Sequence, residues 1–217
     1  MIVGVMASIL RVAGIVGLAA TVAAAQSPRA ATDPQEVFDQ SIKDFLAGNI
    51  EKSSAGFDAF VALVPDSEPQ LWQRGIVLYY AGRYDDCRKQ FELHRTVNPN
   101  DVENAAWHFL CVARADTTAR ARAALLPVGP DSRVPMEQVY GLLVGSHTTD
   151  DVLAAAGGQP RAEFYAHLYL GLHAEALGNQ SEALEHIRIA AVDENARIGG
   201  YMHTVAKVHL SLRDLDR

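Results

Sequence analysis

Residues 68–101 read EPQLWQRGIVLYYAGRYDDCRKQFELHRTVNPND, and their punctuation recurs one unit upstream. Gly48 and Gly82 are 34 residues apart, as are Phe57 and Phe91, and Pro65 and Pro99. Around each Gly the apolar residues fall at three- and four-residue spacing, the period of an amphipathic helix. The spacing predicts a helical hairpin in each unit. A first helix ends near the Gly, whose backbone tolerates the turn. A second helix runs on until a Pro stops it and opens the next unit. Ser53, Cys87, Ala121 and Ala183 hold the twentieth place of successive units, where a small side chain lets two helices approach.

With Gly75, Gly82, Tyr84, Cys87, Phe91 and Pro99 in their small, turn, aromatic, small, aromatic and Pro places, segment 68–101 resembles the tetratricopeptide repeat (TPR) family. His94 departs, standing where Ala is usual. Segment 34–67 matches through Gly48, Phe57 and Pro65. Segment 102–128 keeps Ala121 and Leu125 but has Asp116 for the turn Gly, and 164–197 matches through Gly171, Gly178, Ala183 and Ile187. Residues 129–160 are out of register, with a Pro/Gly linker and then two short helices split at Ser146-His147. Residues 198–213 read as a capping helix. A finer resemblance, to NlpI-type envelope TPR lipoproteins, rests on GIVLYYAGRY followed by NPND, on MEQVYGLLVGSHTTDDVL and on FYAHLYLGLH. The expected fold is therefore all-α, a TPR-like hairpin superhelix over 34–213. The resemblance implies an envelope adaptor, without the lipobox Cys that would tether it to a membrane.

Composition agrees with a globular, acidic body. The 217 residues are 49% hydrophobic and 21% charged, which excludes low-complexity disorder. With 19 Lys plus Arg against 26 Asp plus Glu, the net charge of −7 argues against a nucleic-acid partner. Residues 12–25, VAGIVGLAATVAAA, follow Arg11 and end in small residues before Gln26. They read as an export signal cleaved between Ala25 and Gln26, with 26–33 as a linker. The expected location is periplasmic or secreted, with no membrane span in the mature chain. The competing reading is an uncleaved anchor. Asn179-Gln180-Ser181 has the form of a glycan acceptor.

The family binds peptides or partner helices on the concave face formed by the first helix of each hairpin. On this chain the corresponding stripe is Trp72, Ile76, Tyr79 and Tyr80, continued by Phe38, Ile42 and Phe45 and by Leu168 and Leu172. Rigid aromatics make efficient interface anchors. The competing reading is that the stripe is core, covered by the C-terminal helices. Arg74 and Arg83 flank it, either to take a partner carboxylate or to pair locally. The expected function is an exported, non-enzymatic scaffold for a protein or peptide partner, with homodimerisation through the stripe as a variant.

The rival is a ligand- or metal-binding protein, an enzyme included, with a pocket of His94, Asn104, His108, His167 and His203. Nothing in the sequence spells a nucleophile elbow, a phosphate loop, a dinucleotide fingerprint or a metal motif, so no cofactor, metal or catalytic residue is expected. Cys87 and Cys111 read as two buried free thiols. A bridge would require their Cα atoms within about 7 Å.

Overall fold

The computed structural model describes residues 33–214, which are all-α; no strand occurs among them, and the expected export signal lies outside them. Asp33 starts the first helix, its carboxylate accepting the Gln35 N–H at 2.9 Å, with Pro34 at the first helical position. That helix, α1 (Pro34–Leu46), turns at Gly48 into α2 (Ile50–Leu63). A 3-10 segment (Pro65–Gln70) leads to α3 (Trp72–Tyr80), which turns at Gly82 into α4 (Tyr84–His94). Gly48 and Gly82 have φ of 75° and 69°, and Gly178, between α9 (Pro160–Ala176) and α10 (Gln180–Ala190), has 84°. This left-handed conformation is cheap only for glycine.

Between these hairpins lie α5 (Val102–Ala115), α6 (Thr118–Ala123), α7 (Met136–Val144) and α8 (Thr149–Ala156). Where Gly is replaced by Asp116, α5 ends and Thr117 caps α6, its hydroxyl accepting the Arg120 N–H at 3.1 Å. The short helices α7 and α8 are separated by Gly145 and by a reciprocal Thr148–Asp151 capping box. After α10 come α11 (Ala196–Gly199) and α12 (Tyr201–Asp214). Gly200, at φ 54°, breaks them apart, so the expected continuous terminal helix starts at Tyr201. No helix among the described residues is long and apolar enough to cross a membrane.

One apolar core runs from Phe45 and Ile50 in the first hairpin to Val205 and Ala206 in α12. One close joint in it is between α3 and α4. A Cβ at Gly75 would come within 2.6 Å of the Phe91 ring, so the missing side chain is what admits that ring. Phe91 in turn lies nearly parallel to Trp107 of α5, with centroids 6.4 Å apart.

The expectation of free thiols is corrected. Cys87 of α4 and Cys111 of α5 form a disulfide, with Cα atoms 5.9 Å apart. Both positions face the contact between these two helices, and their burial brings the thiols together instead of isolating them. The closed loop, with a sequence separation of 24, restricts the unfolded chain.

Two outcomes follow from this packing. Phe91→Ala should lower stability by about 3–5 kcal/mol in urea denaturation, because a fully buried ring leaves a cavity beside Gly75 and Trp107. An unchanged midpoint would show that Phe91 is not core. Alkylation before and after reduction, read by mass, should label both cysteines only after reduction, and reduction should cost roughly 3 kcal/mol by loop-closure entropy.

Candidate functional site

The expected open groove is closed by the chain itself. Ile76, Tyr79, Leu168 and Leu172 are buried, while Trp72, Tyr80, Phe38 and Ile42 are half-buried against the core. Trp72 meets the ring of Tyr201 edge-on at 5.0 Å, and Phe45 stacks on Tyr201 at 6.1 Å. Phe38 packs against Phe57 and Phe60 within its own hairpin. The stripe therefore meets α12, whose apolar face needs cover of its own. Arg74 and Arg83 pair locally: Arg74 with Asp58 at 2.7 Å and Gln90 at 2.8 Å, Arg83 with Asp58 at 2.5 Å and Asp86 at 2.8 Å.

A buried carboxylate clamps α12. Glu175 of α9 accepts from His209 Nε2 at 2.7 Å and from Arg213 Nη2 at 2.8 Å. Tyr79 of α3 donates to it at 3.3 Å, and Arg114 of α5 lies 3.5 Å away. A carboxylate only accepts, so Nε2 of His209 carries a proton, and Nδ1 lies 3.0 Å from the Tyr80 hydroxyl. Burial pushes the Glu175 pKa up, but hydrogen bonds and charge from His209 and Arg213 outweigh it and hold the carboxyl well below its usual range.

Beneath α12 lies a cavity of about 520 Å³, bounded by α3, α4 and α5 on one side and by α9, α11 and α12 on the other. Trp72, Phe91 and Trp107 line it from α3, α4 and α5, and Tyr165, Tyr201 and Met202 from α9 and α12. The turn at Gly200 sets Tyr201 and Met202 against this space. The polar lining comes mainly from one short stretch. Asp101 caps α5, accepting the Glu103 N–H at 3.0 Å and the Asn98 side chain at 2.9 Å. The helix it starts carries Glu103, Asn104 and Trp107 into the lining, with Asn104 and Trp107 three residues apart on one face. His94, in the last turn of α4, donates from Nδ1 to the Pro69 carbonyl at 2.8 Å, so Nε2 is the lone-pair nitrogen of the neutral ring.

Arg133, from the linker after α6, gathers three carboxylates: Asp101 at 2.5 Å, Glu103 at 2.5 Å and Asp131 at 2.6 Å. Tyr169 of α9 donates to the other Glu103 oxygen at 2.5 Å. Burial raises the Glu103 pKa, against the hydrogen bonds from Tyr169 and Arg133, which favour its charged form. For Asp131 burial also acts upward, but hydrogen bonds from the Arg133 side chain and from the Arg133 and Val102 backbones win, and the pKa falls.

Three buried polar atoms of residues lining this cavity have no hydrogen-bond partner among the described residues: Asn104 Oδ1, Trp107 Nε1 and the Tyr201 hydroxyl. An acceptor, a donor and a group able to do either thus sit on residues that line one partly open cavity. Buried groups of this kind are rare in folded proteins, because each forfeits its bond to water.

Of the five residues of the expected His pocket, His94 and Asn104 line the cavity. His108, His167 and His203 do not. His108 points Nε2 at Glu92, 3.4 Å away, and burial lowers its pKa. His167 and His186 bring their Nδ1 atoms within 2.8 Å between α9 and α10, both pKa values lowered chiefly by burial. His203 bonds the Val192 carbonyl at 2.9 Å and pins α12 to the preceding turn. Sequence reading missed Asp101, Glu103, Trp107, Tyr165 and Tyr201. The available signal was NPND followed by VENAAW, a cap with polar and aromatic residues at helical spacing behind it. Among the described residues no three His, Cys, Asp or Glu side chains cluster to hold a metal ion. No family model matches this chain, and no curated protein matches it at a significant level.

The clamp predicts an acid response. A depressed carboxylate pKa adds stability that is full above the unfolded value, near 4.5, and is lost as pH falls below it. Melting temperatures should therefore drop steeply from pH 5 to pH 3. Glu175→Gln should cost about 3–5 kcal/mol at pH 7, as for breaking a buried ion pair, and flatten that slope. An unaltered slope in the variant would assign the acid response to other groups.

Proposed function

We propose that this protein binds a small polar ligand in the cavity beneath α12, within a TPR-like array of helical hairpins closed by its own last helix, and does no chemistry on it. The observation that carries this reading is a space of about 520 Å³ lined by three residues that each hold a buried, unpartnered polar atom, Asn104 Oδ1, Trp107 Nε1 and the Tyr201 hydroxyl. That size and its largely aromatic lining are ordinary for small-molecule sites. The TPR-like reading is supported by the 34-residue recurrence of Gly48 and Gly82 and their shared left-handed turns. Export is supported by the Cys87–Cys111 bridge, since such bonds persist in oxidising compartments. A scaffold using the aromatic stripe as an open groove would need α12 to leave, breaking the Glu175 clamp and exposing Trp72, Tyr79 and Tyr80. Binding in the cavity leaves the Glu175 clamp in place.

Asn104→Leu tests the reading. In a structural role Asn104 would be needed for stability. In a binding role its orphaned acceptor is a cost of function, so the near-isosteric Leu should raise the stability of the ligand-free protein by about 1 kcal/mol. Thermal shifts of the full chain would be screened against sugars, carboxylates and amines at millimolar concentration. At least one class should stabilise the wild type, and by mass action a ligand at a hundred times its Kd gives about 2.7 kcal/mol. Asn104→Leu should abolish that shift. Destabilisation by Asn104→Leu, with no class shifting the wild type, would overturn the proposal.

A further inference from the structure

The geometry points to an organic ammonium ion as the ligand of this cavity, an inference that rests on the binding role proposed above. The first argument is charge. Asp101 and Glu103 line the space, and among the described residues no Lys or Arg does. The nearby guanidinium of Arg133 is shared by Asp101, Glu103 and Asp131, one positive charge among three carboxylates. An anion entering here would meet that acidic excess. A neutral ligand would strip water from the rim of the carboxylates and return no charge to them.

The second argument is the wall. Trp72, Phe91, Trp107, Tyr165 and Tyr201 surround the space. Aromatic faces carry negative potential and attract ammonium groups, most strongly where water is excluded. Trp72 and Tyr201 stand edge to face at 5.0 Å, so two of these rings meet on the lining at a near-right angle.

The third argument is the orphaned atoms on the lining residues, which specify polarity. Asn104 Oδ1 lacks a donor, and a turn of its side chain towards the space would let an ammonium N–H or a ligand hydroxyl supply one. Trp107 Nε1–H lacks an acceptor, which a neutral ligand oxygen supplies. The Tyr201 hydroxyl can serve either. Amino alcohols carry both functions two carbons apart.

Matched probes test this by calorimetric titration of the full chain. Ethanolamine is compared with 1-propanol, and choline with 3,3-dimethylbutan-1-ol, pairs equal in shape and different in charge. Phosphocholine adds a phosphate to the same cation. At least one cation should bind ten times or more tighter than its neutral twin, with phosphocholine weaker than choline. Trp72→Leu, at a half-buried position, should weaken the cation tenfold while its melting curve stays cooperative. Should Trp72→Leu fail to fold, the wild-type comparison decides alone. Equal affinity for the neutral twins, or tighter binding of phosphocholine, would overturn the ammonium assignment and leave the binding role standing. No binding by any of these probes, together with no shift from sugars or carboxylates, would remove both. A response to sugars or carboxylates alone would remove only the ammonium.

Discussion

A single buried carboxylate ties the last helix to the middle of this fold. Glu175 sits on α9 and takes bonds from His209 and Arg213 of α12 and from Tyr79 of α3, with Arg114 of α5 at its edge. A lone carboxylate in such a place would be prohibitively costly; with these partners its charged form is favoured over the neutral one. The cluster is directional, since each hydrogen bond fixes an angle as well as a distance. It therefore selects one seat for α12 among the many that an apolar face alone would accept.

That seat decides what kind of surface the molecule offers. With α12 docked, Trp72 and Tyr80 no longer face solvent as an open stripe, and Tyr201 is brought down against Trp72 and Phe45. The aromatic residues that would line a groove instead line the core and one wall of a cavity. Part of its lining, Tyr201 and Met202, comes from α12, so the clamp at Glu175 also bears on the shape of the cavity. The polar side has its own support in Arg133, which ties the linker after α6 to the start of α5 through Asp101 and Glu103. Residues 129–135, outside the repeat pattern, thus position the acidic side of the space.

Tight packing and unpaired polarity stand side by side here. Phe91 fills the gap left by Gly75 and lies against Trp107, whose indole N–H nevertheless has no partner among the described residues. Hydrophobic burial explains the ring; it does not explain the orphaned N–H. Such groups cost stability for as long as they stay unpaired.

The sequence by itself determined the helices, because hydrophobic period, turn glycines and caps act within a few residues of one another. Gly48, Gly82 and Gly178 fall in the turns, and Asp33, Asp101 and Thr148 cap the helices that follow them. It also marked His94 and Asn104 for a pocket. The tertiary structure decided the rest. Whether the Trp72–Tyr80 stripe lies open depends on where α12 goes, and that is set by a carboxylate and a guanidinium 38 residues apart. Tyr169 and Glu103, 66 residues apart, meet for the same reason. The disulfide likewise depended on two helix faces meeting at 5.9 Å. Local patterns are written in neighbouring residues, whereas burial and pairing belong to distant ones, and only the folded chain brings those together.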